Sequence, residues 1–254
     1  MMTEKKIAVV TGASSGVGAA VVKRLSSSDC QVIMLARDVE RMKLVAEQCD
    51  GITPFLLGVD LRNTNSVNDA FDTIKNKFGR INILCAVAGI FQEPASIANQ
   101  LDSEWDDIIE TNLTGTMRCL RSAWPLFASG ASIVTVGSVL AEMAQPQVGA
   151  YAVSKAGLSQ LTRTAATEGI KLGIRANLII PGMIKTPMNE LMAEASGDSS
   201  VWWQEKLRST PMGRAAEPSE IAEAICWLAG DDALFITGAE LRLDGGALLR
   251  PVST

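Results

Sequence analysis

The sequence predicts an α/β fold in which helices cover both faces of a doubly wound parallel sheet. Short apolar runs alternate with longer amphipathic segments between residues 7 and 180, and this alternation is typical of parallel strands joined by crossover helices. The apolar runs lack a strict polar–apolar alternation, as expected of strands that are buried on both faces. Because no linker interrupts the pattern, residues 1–254 are predicted to form a single domain.

The individual elements follow from the same pattern. Apolar runs bounded by turn residues predict strands at 7–10, 31–36, 53–59, 81–88, 131–136 and 174–180. Amphipathic segments predict helices that end at about residues 28 and 48 and that span about 65–78, 103–129 and 150–172.

Residues 183–214 break this alternation. The segment is polar and rich in methionine, and it follows the end of a predicted strand. Ligands of open α/β sheets bind outside the carboxyl ends of the strands, so we predict that this segment is a lid over a substrate. The alternative is a surface helical segment that only covers an edge of the sheet.

Composition excludes several classes of partner. The net charge is −5 and no basic stripe is present, which argues against nucleic acid or an anionic membrane as the main partner. No apolar run approaches the ~18 residues of a membrane span, and the N-terminal residues lack the pattern of a secretory signal. The five cysteines form no CxxC pair, so a reduced, cytoplasmic chain is expected.

The chain contains no histidine. A Ser-His-Asp hydrolase is therefore excluded, as is a zinc site with histidine ligands. No metal site is predicted, because the cysteines are not clustered either. Proton transfer near neutral pH would need another type of residue.

The only tyrosine, Tyr151, lies four residues before Lys155, and Ser138 ends an apolar run upstream. Positions i and i+4 of a helix share a face, so the phenol and the ammonium are predicted to point into the same space. A nearby cation lowers the pKa of tyrosine from its usual ~10. The pair could then transfer protons without histidine; the alternative is an isolated tyrosine with a solvated lysine one turn on.

A glycine-rich turn joins the first predicted strand to the first helix. Gly12 can take the positive φ of a tight turn, Gly16 lets the backbone approach a pyrophosphate, and Gly18 lets the helix pack close to the strand. The N-terminus of the helix presents free N–H groups to an anion, and Ser14 and Ser15 add hydroxyl donors. Its place between the first strand and the first helix predicts a dinucleotide-binding turn.

The end of the second strand predicts which dinucleotide is bound. Arg37 follows this strand, and a guanidinium there can form paired bonds to a 2′-phosphate, so NADP(H) is favoured over NAD(H). Asp38 is the competing feature, because it could accept from a 2′-hydroxyl, pair with Arg37 or cap the next helix. Asp60, after the third strand, could accept from an adenine amino group or make a turn.

The order and spacing of these motifs resemble the short-chain dehydrogenase/reductase family from about Lys5 to Gly246. The motifs are residues 11–18, Asp60, Asn112, Ser138, Tyr151-x-x-x-Lys155, Pro181-Gly182 and residues 244–246. The resemblance implies a Rossmann-type sheet, a nicotinamide cofactor, a homotetramer or homodimer that pairs two long central helices, and a catalytic tetrad. The tetrad is Asn112, Ser138, Tyr151 and Lys155. The predicted cofactor-binding residues are Gly12, Ser14, Ser15, Gly16, Val17, Gly18, Arg37, Asp60, Leu61, Ala88, Gly89, Tyr151, Lys155, Pro181, Gly182, Ile184 and Thr186.

The chain departs from the family pattern after the fourth strand. The family usually has Asn-Asn-Ala-Gly there, whereas residues 86–89 read Ala-Val-Ala-Gly. The final Ala-Gly is kept, so close approach of a cofactor at Gly89 is expected. The missing amides remove polar contacts that usually tie this strand end to its neighbours, although no chemical step needs them.

The resemblance implies an oxidoreductase that uses a nicotinamide cofactor to interconvert a ketone and a secondary alcohol of a small molecule, and Arg37 favours NADP(H) as that cofactor. In carbonyl reduction Ser138 and Tyr151 would bind the substrate oxygen, and Tyr151 would deliver the proton. Lys155 would lower the phenol pKa and hold the nicotinamide ribose. Asn112 would position a water, and Thr186, with the backbone near Ile184, would hold the nicotinamide carboxamide.

Three alternatives remain open at this point. A 3-oxoacyl-carrier-protein-type reductase would need a basic docking patch, and only scattered cations are found, namely Lys185, Lys206, Arg208 and Arg214. An NAD-dependent alcohol dehydrogenase and a non-catalytic nucleotide-sensing protein are the others. The apolar residues that could line the lid side are Met143, Met188, Met192, Trp202 and Trp203.

Overall fold

A parallel seven-stranded sheet forms the centre of the computed structural model, which describes residues 5–28 and 30–249. The strands are β1 Lys6–Thr11, β2 Cys30–Ala36, β3 Phe55–Gly58, β4 Ile81–Ala86, β5 Phe127–Val136, β6 Arg175–Pro181 and β7 Glu240–Leu243. Their order in the sheet is β3-β2-β1-β4-β5-β6-β7. The chain moves outward from β1 to β3 and then returns to continue on the other side of β1. This confirms the predicted Rossmann-type, doubly wound topology.

Nine α-helices connect and cover the strands in the described part of the chain. They are α1 Gly16–Ser26, α2 Val39–Ala46, α3 Thr64–Phe78, α4 Asp102–Ile109, α5 Gly115–Ala123, α6 Gly149–Gly169, α7 Pro187–Ala195, α8 Ser199–Leu207 and α9 Pro218–Ala229. Successive residues of β1 pack on opposite faces of the sheet, because side chains alternate along a strand. Val10 lies in a core with residues of α1, α2 and α9, and Val9 lies in a core with residues of α3, α5 and α6. The helices therefore cover both faces, as predicted.

The predicted helix at 103–129 is wrong in its interior and at its end. A π-helical turn, Glu110–Thr114, separates α4 from α5, and a short 3₁₀ turn, Trp124–Leu126, ends the helical region. Proline cannot donate a backbone hydrogen bond, and Pro125 lies in that 3₁₀ turn. Strand β5 then begins at Phe127, which pairs with Ile81 ahead of a register shift.

Two elements near the C-terminus were not predicted. Helix α9 begins with Pro218 in its first turn and with a capping box between Glu217 and Glu220, which is a recognisable helix start. Strand β7 is short and pairs in parallel with β6. Strands β3 and β4 are also shorter than predicted, ending at Gly58 and Ala86.

Within residues 5–28 and 30–249, no helix has the length and the hydropathy to cross a membrane. Over the same residues there is no group of three or more cysteine, aspartate or glutamate side chains that could hold a metal ion.

Candidate active site

A cleft of about 620 Å³ lies at the carboxyl ends of the strands and crosses the switch point between β1 and β4. All predicted site residues except Asn112 line it, so the topology brings together residues from most of the chain. They are Gly12, Ser14, Ser15, Gly16, Val17, Gly18, Arg37, Asp60, Leu61, Ala88, Gly89, Ser138, Tyr151, Lys155, Pro181, Gly182, Ile184 and Thr186.

The glycine turn forms the floor of the cleft between β1 and α1. Gly12 and Gly16 have φ values of 66° and 52°, which side chains disfavour. A Cβ on Gly18 would overlap the carbonyl oxygen of Gly12, and a Cβ on Gly12 would lie 2.8 Å from Cα of Ala88. Helix α1 has no side-chain cap at Ser15 and no acidic residue in its first turn. Its N-terminal N–H groups can therefore bind a phosphate.

Thr11 makes polar contacts with the end of β4, where the asparagines usual in the family are missing. Its side chain is buried, and Oγ1 accepts hydrogen bonds of 3.1 Å from the backbone N–H groups of both Val87 and Ala88. The end of β4 is thus tied to β1 by one hydroxyl. Thr11 is a residue whose role sequence reasoning missed, because it was treated only as the start of the glycine turn.

Tyr151 and Lys155 lie on α6, in its first two turns, and face the end of β5. The Lys155 side chain is 3% exposed, and Nζ donates a hydrogen bond of 2.8 Å to the carbonyl of Val136. The same Nζ lies 5.6 Å from the centroid of the Tyr151 ring. Ser138, just beyond β5, is buried and lines the cleft with Tyr151. The three groups therefore share one wall of the cleft.

The expected lowering of the Tyr151 pKa by Lys155 is not found. Burial raises the pKa of Tyr151 to about 12, although the neighbouring Ser138 side chain opposes this rise. Burial also lowers the pKa of Lys155 to about 8. The reason is desolvation, which disfavours the charged form of each group.

Asn112 lies behind the cleft wall instead of lining it. The side chain is fully buried in the π-helical turn. Its Nδ2 donates to the carbonyl of Ile90 at 2.9 Å and to Oγ of Ser154 at 3.1 Å. Its Oδ1 accepts from the N–H of Ile90 at 2.8 Å. A Cβ on Gly89 would lie 3.2 Å from Lys155 Nζ and 3.4 Å from Asn112 Oδ1. The amide and the ammonium therefore lie side by side behind Gly89.

Two further residues position the tyrosine, and the sequence analysis did not identify them. Gln92 is 5% exposed, and its Oε1 accepts a hydrogen bond of 2.8 Å from the N–H of Tyr151. The ring of Phe91 lies 4.6 Å from the Tyr151 ring, centroid to centroid. A signal was present: Val148, at the N-cap of α6, has no side chain that can cap a helix. The first N–H groups of α6 therefore need an acceptor from elsewhere.

The ends of β2 and β3 carry the charged residues expected at the ribose end. Arg37 is exposed and lines the cleft. Asp38 caps α2 by accepting from the N–H of Arg41 at 2.9 Å, so of its alternatives the helix cap is the one found. The Asp60 carboxylate accepts from the Arg62 side chain and backbone. These hydrogen bonds hold the pKa of Asp60 below its usual value.

The segment after β6 packs over the glycine turn. A Cβ on Gly16 would lie 3.4 Å from the methyl group of Thr186, and Thr186 caps α7 through its hydroxyl. A Cβ on Gly182 would lie 2.9 Å from Cα of Asp244, so the closing segment approaches here too. The backbone carbonyl of Ile184 accepts from Asn189 Nδ2 at 2.7 Å.

The apolar residues proposed for the lid side divide between two cavities. Four of them line the main cleft, namely Met143, Met188, Met192 and Trp202. Trp203 was expected with them, but it lines a second cavity beside Lys185 and Arg214. Adjacent helical residues point about 100° apart, which separates the two indoles. Lys206, one turn after Trp202, returns to the main cleft.

Comparison with known proteins gives the family. A family model described as enoyl-(acyl carrier protein) reductase matches residues 12–247. The chain is 31% identical to 3-oxoacyl-(acyl-carrier-protein) reductase FabG of Thermotoga maritima, over 98% of this chain and 100% of that protein. It is 36% identical to cis-4-hydroxycyclohexanecarboxylate dehydrogenase of Sinomonas cyclohexanicum, over 95% and 96% of the two chains.

Solved structures agree with the sequence comparisons. The aldohexose dehydrogenase of Thermoplasma acidophilum superposes with a TM-score of 0.89 at 31% identity, covering 99% of this chain and 97% of that one. A 3-ketoacyl-(acyl-carrier-protein) reductase of Brucella melitensis, in complex with NADH, superposes with a TM-score of 0.87 at 28% identity. The match covers 96% of this chain and 98% of that one. With the switch-point cleft and the ordered motifs that line it, these matches over nearly the whole length show that the chain belongs to the short-chain dehydrogenase/reductase family of oxidoreductases.

Proposed function

We propose that this protein is an NADP(H)-dependent oxidoreductase that interconverts a ketone and a secondary alcohol, with Tyr151 as general acid and base. The observation that carries the proposal is one cleft that holds both a glycine cradle and the wall of Ser138, Tyr151 and Lys155. A non-catalytic nucleotide sensor would have no use for this wall.

The glycine cradle fits a nicotinamide dinucleotide. Side chains at Gly12, Gly16 and Gly18 would meet backbone or Thr186, so only glycine permits this tight turn, and the turn lines the cleft with its backbone. The uncapped N-terminus of α1 suits a pyrophosphate. A bound nicotinamide supplies the hydride. Thr186 and the backbone at Ile184 lie over this turn and would hold the carboxamide.

NADP(H) is proposed over NAD(H) because of the charge at the end of β2. Arg37 lines the cleft and is exposed, so it is available to a 2′-phosphate. Asp38 is the residue that would accept from a 2′-hydroxyl, and its carboxylate is engaged with Arg41 at the start of α2. An NAD-dependent enzyme remains the alternative that the cofactor test below decides.

The proton that the substrate oxygen gains in the reduction is assigned to the Tyr151 hydroxyl. With a pKa of about 12, Tyr151 is protonated at neutral pH and can donate to the oxygen of a ketone, while Ser138 binds the same oxygen. Lys155 Nζ uses one donor on Val136 and has others for ribose hydroxyls. Both donors of the Asn112 amide are used, but Oδ1 keeps a lone pair beside Lys155 that can hold a water.

The substrate is proposed to be a small-to-medium apolar or cyclic ketone or alcohol under a lid at about 183–214. Methionines of this segment and Trp202 line the cleft, and methionine adapts to irregular apolar shapes. The relative from Sinomonas cyclohexanicum is named for a ring alcohol. Similarity to acyl-carrier-protein reductases favours a second candidate, reduction of a carrier-bound 3-oxoacyl group. Lys185 and Arg214 line a different cavity from Lys206, and Arg214 is paired with Glu220, which weakens the case for a basic docking patch.

The proposal includes a homotetramer or homodimer that pairs the long central helices. Apolar side chains are exposed on these helices: Trp105 on α4 is 37% exposed, and Val153 on α6 is 49% exposed. Light scattering coupled to size-exclusion chromatography measures the mass, and a monomer at working concentration would refute this part.

Oxidation of NADPH in the presence of a panel of ketones tests the function. We expect turnover of at least one apolar ring ketone, and a fall in kcat of ~10²-fold or more in Tyr151→Phe, since positioned acid–base catalysis contributes about that much. NADPH binding, followed by fluorescence, should stay nearly unchanged. Trp227→Phe, an exposed aromatic of α9 outside the cleft, is the matched control. Full turnover by Tyr151→Phe would remove the phenol from the mechanism.

A further inference from the structure

The charges that line the cleft are unevenly divided. Among the described lining residues the only carboxylates are Asp38 and Asp60, and both follow strands on the β2–β3 side. The other half of the cleft carries two ammonium groups, Lys155 and Lys206, and no carboxylate. The half that holds the tyrosine is therefore electropositive, which favours a negatively charged ligand.

Lys206 is held in this half without an acidic partner. It lies on α8, which follows β6, and β6 is four places from β2 in the sheet. In the part of the chain that the structure describes, Lys206 makes no ion pair within 4.0 Å; its Nζ instead lies 5.5 Å from the centroid of the Trp202 ring. Arg214, by contrast, is paired with Glu220 at 2.6 Å.

Thr210 provides a second polar group beside the same helix. It is 6% exposed and lines the cleft. Its methyl group faces Gly245, where a Cβ would lie 2.8 Å away. Over residues 5–28 and 30–249 its hydroxyl forms no hydrogen bond, and Oγ1 is not one of the fully buried atoms that lack a partner, so it is accessible to a ligand or water in the cleft.

We propose that Lys206 and Thr210 form an anion subsite that binds a carboxylate carried by the substrate, remote from the reacting carbon. The inference rests on the proposed function and deepens it: the substrates are oxo acids and hydroxy acids whose apolar body contacts Trp202 and the methionines. An ammonium and a hydroxyl together give a carboxylate two donors, while the partly buried setting strengthens the ion pair. The free acid is then preferred over its neutral ester.

The test compares 4-oxocyclohexanecarboxylate with its methyl ester as substrates, with NADPH. For the wild type we expect kcat/KM to be higher for the acid, and added salt to raise KM for the acid only. Lys206→Met should lower kcat/KM for the acid about tenfold and leave the ester unchanged, which is the effect of one charge-assisted hydrogen bond. Lys206→Arg should restore most of the preference. Lys185→Met, an exposed lysine at the other cavity, is the matched control.

Calorimetric binding of cyclohexanecarboxylate to the NADP⁺-saturated protein decides the subsite without turnover. A tenfold weaker Kd in Lys206→Met, with a smaller loss in Thr210→Val, supports it. Equal Kd values in wild type and Lys206→Met overturn it, as does a Lys206-dependent preference for phosphopantetheine thioesters over free carboxylates. Failure of every ketone to be reduced would instead remove the proposed function, while the carboxylate binding would still report on Lys206.

Discussion

The side-chain oxygen of Gln92 accepts a hydrogen bond from the backbone N–H of Tyr151 at 2.8 Å. Gln92 belongs to the loop after β4, and Tyr151 belongs to the first turn of α6. A side chain 59 residues away in sequence therefore caps the N-terminus of this helix. The amide nitrogen of Gln92 donates in turn to Oε1 of Gln100 at 2.8 Å. The orientation of the tyrosine therefore depends on a buried amide that touches no reacting atom.

Replacing Gln92 tests this positioning role. Gln92→Leu should lower the free energy of unfolding by about 1–2 kcal/mol, the usual loss for a helix cap. It should also lower kcat several-fold while KM and the Kd for NADPH change little, because the phenol and not the binding surface is displaced. Gln92→Glu keeps an acceptor for the N–H and should recover much of kcat. A loss of stability with kcat unchanged would make Gln92 purely structural.

Thr11 should matter more than an ordinary residue of a glycine turn. Thr11→Val keeps the shape but leaves two backbone N–H groups, those of Val87 and Ala88, without an acceptor. The expected cost is about 1–3 kcal/mol in the free energy of unfolding, with weaker NADPH binding because Ala88 lines the cleft. Thr11→Ser keeps the hydroxyl and is the control. Urea denaturation and calorimetry measure both effects; equal behaviour of the two variants would contradict the assignment.

Cofactor choice is predicted to depend on Arg37. Arg37→Ala should reduce the preference for NADPH over NADH, measured as the ratio of kcat/KM values, by about tenfold or more, since a charge-assisted bond contributes roughly 1.5–3 kcal/mol. Asp38→Asn keeps a side chain that can cap α2 and should leave the ratio nearly unchanged. If the ratio instead shifts only in Asp38→Asn, then Asp38 reads the ribose and NAD(H) is the natural cofactor.

The buried lysine gives the stability of the cofactor-free protein a defined pH dependence. Burial holds the pKa of Lys155 at about 8, below its ordinary 10.5. Between these values the unfolded chain binds more protons at this residue than the folded protein, so its contribution to the free energy of unfolding rises with pH. The rise totals up to about 3 kcal/mol.

Comparison with Lys155→Met isolates that contribution. Tyr151 and Cys226 have raised pKa values and act in the opposite direction at high pH, but both are present in wild type and variant. The difference in free energy of unfolding, wild type minus Lys155→Met, should therefore increase from pH 7.5 to pH 10 by denaturant titration. Lys171→Met, an exposed lysine beyond α6, should show no such difference. Parallel curves for wild type and Lys155→Met would mean that the ammonium is solvated.

The sequence alone determined the sheet class, the glycine turn and the Tyr151–Lys155 pair. Each of these features depends on residues that are close in sequence. Apolar runs indicate strands buried on both faces, and a spacing of four residues places two side chains on one face of a helix. Gly12 and Gly16 indicate a turn with positive φ, which the structure has. Errors arose where the local pattern was ambiguous. Residues 127–129 were predicted as helix although they belong to β5, because the strand residue that pairs with Phe127, Ile81, is distant in sequence.

Only the tertiary structure decided how the groups of the site act on one another. It brought Gln92 to Tyr151 and Thr11 to Ala88, turned Trp203 away from the cleft, and left Lys206 inside it without a carboxylate. It also reversed the expected direction of the tyrosine pKa, because desolvation depends on everything packed around a group and not on its partner four residues along the helix. Local geometry is encoded in adjacent residues, whereas burial and electrostatics are properties of contacts between distant ones.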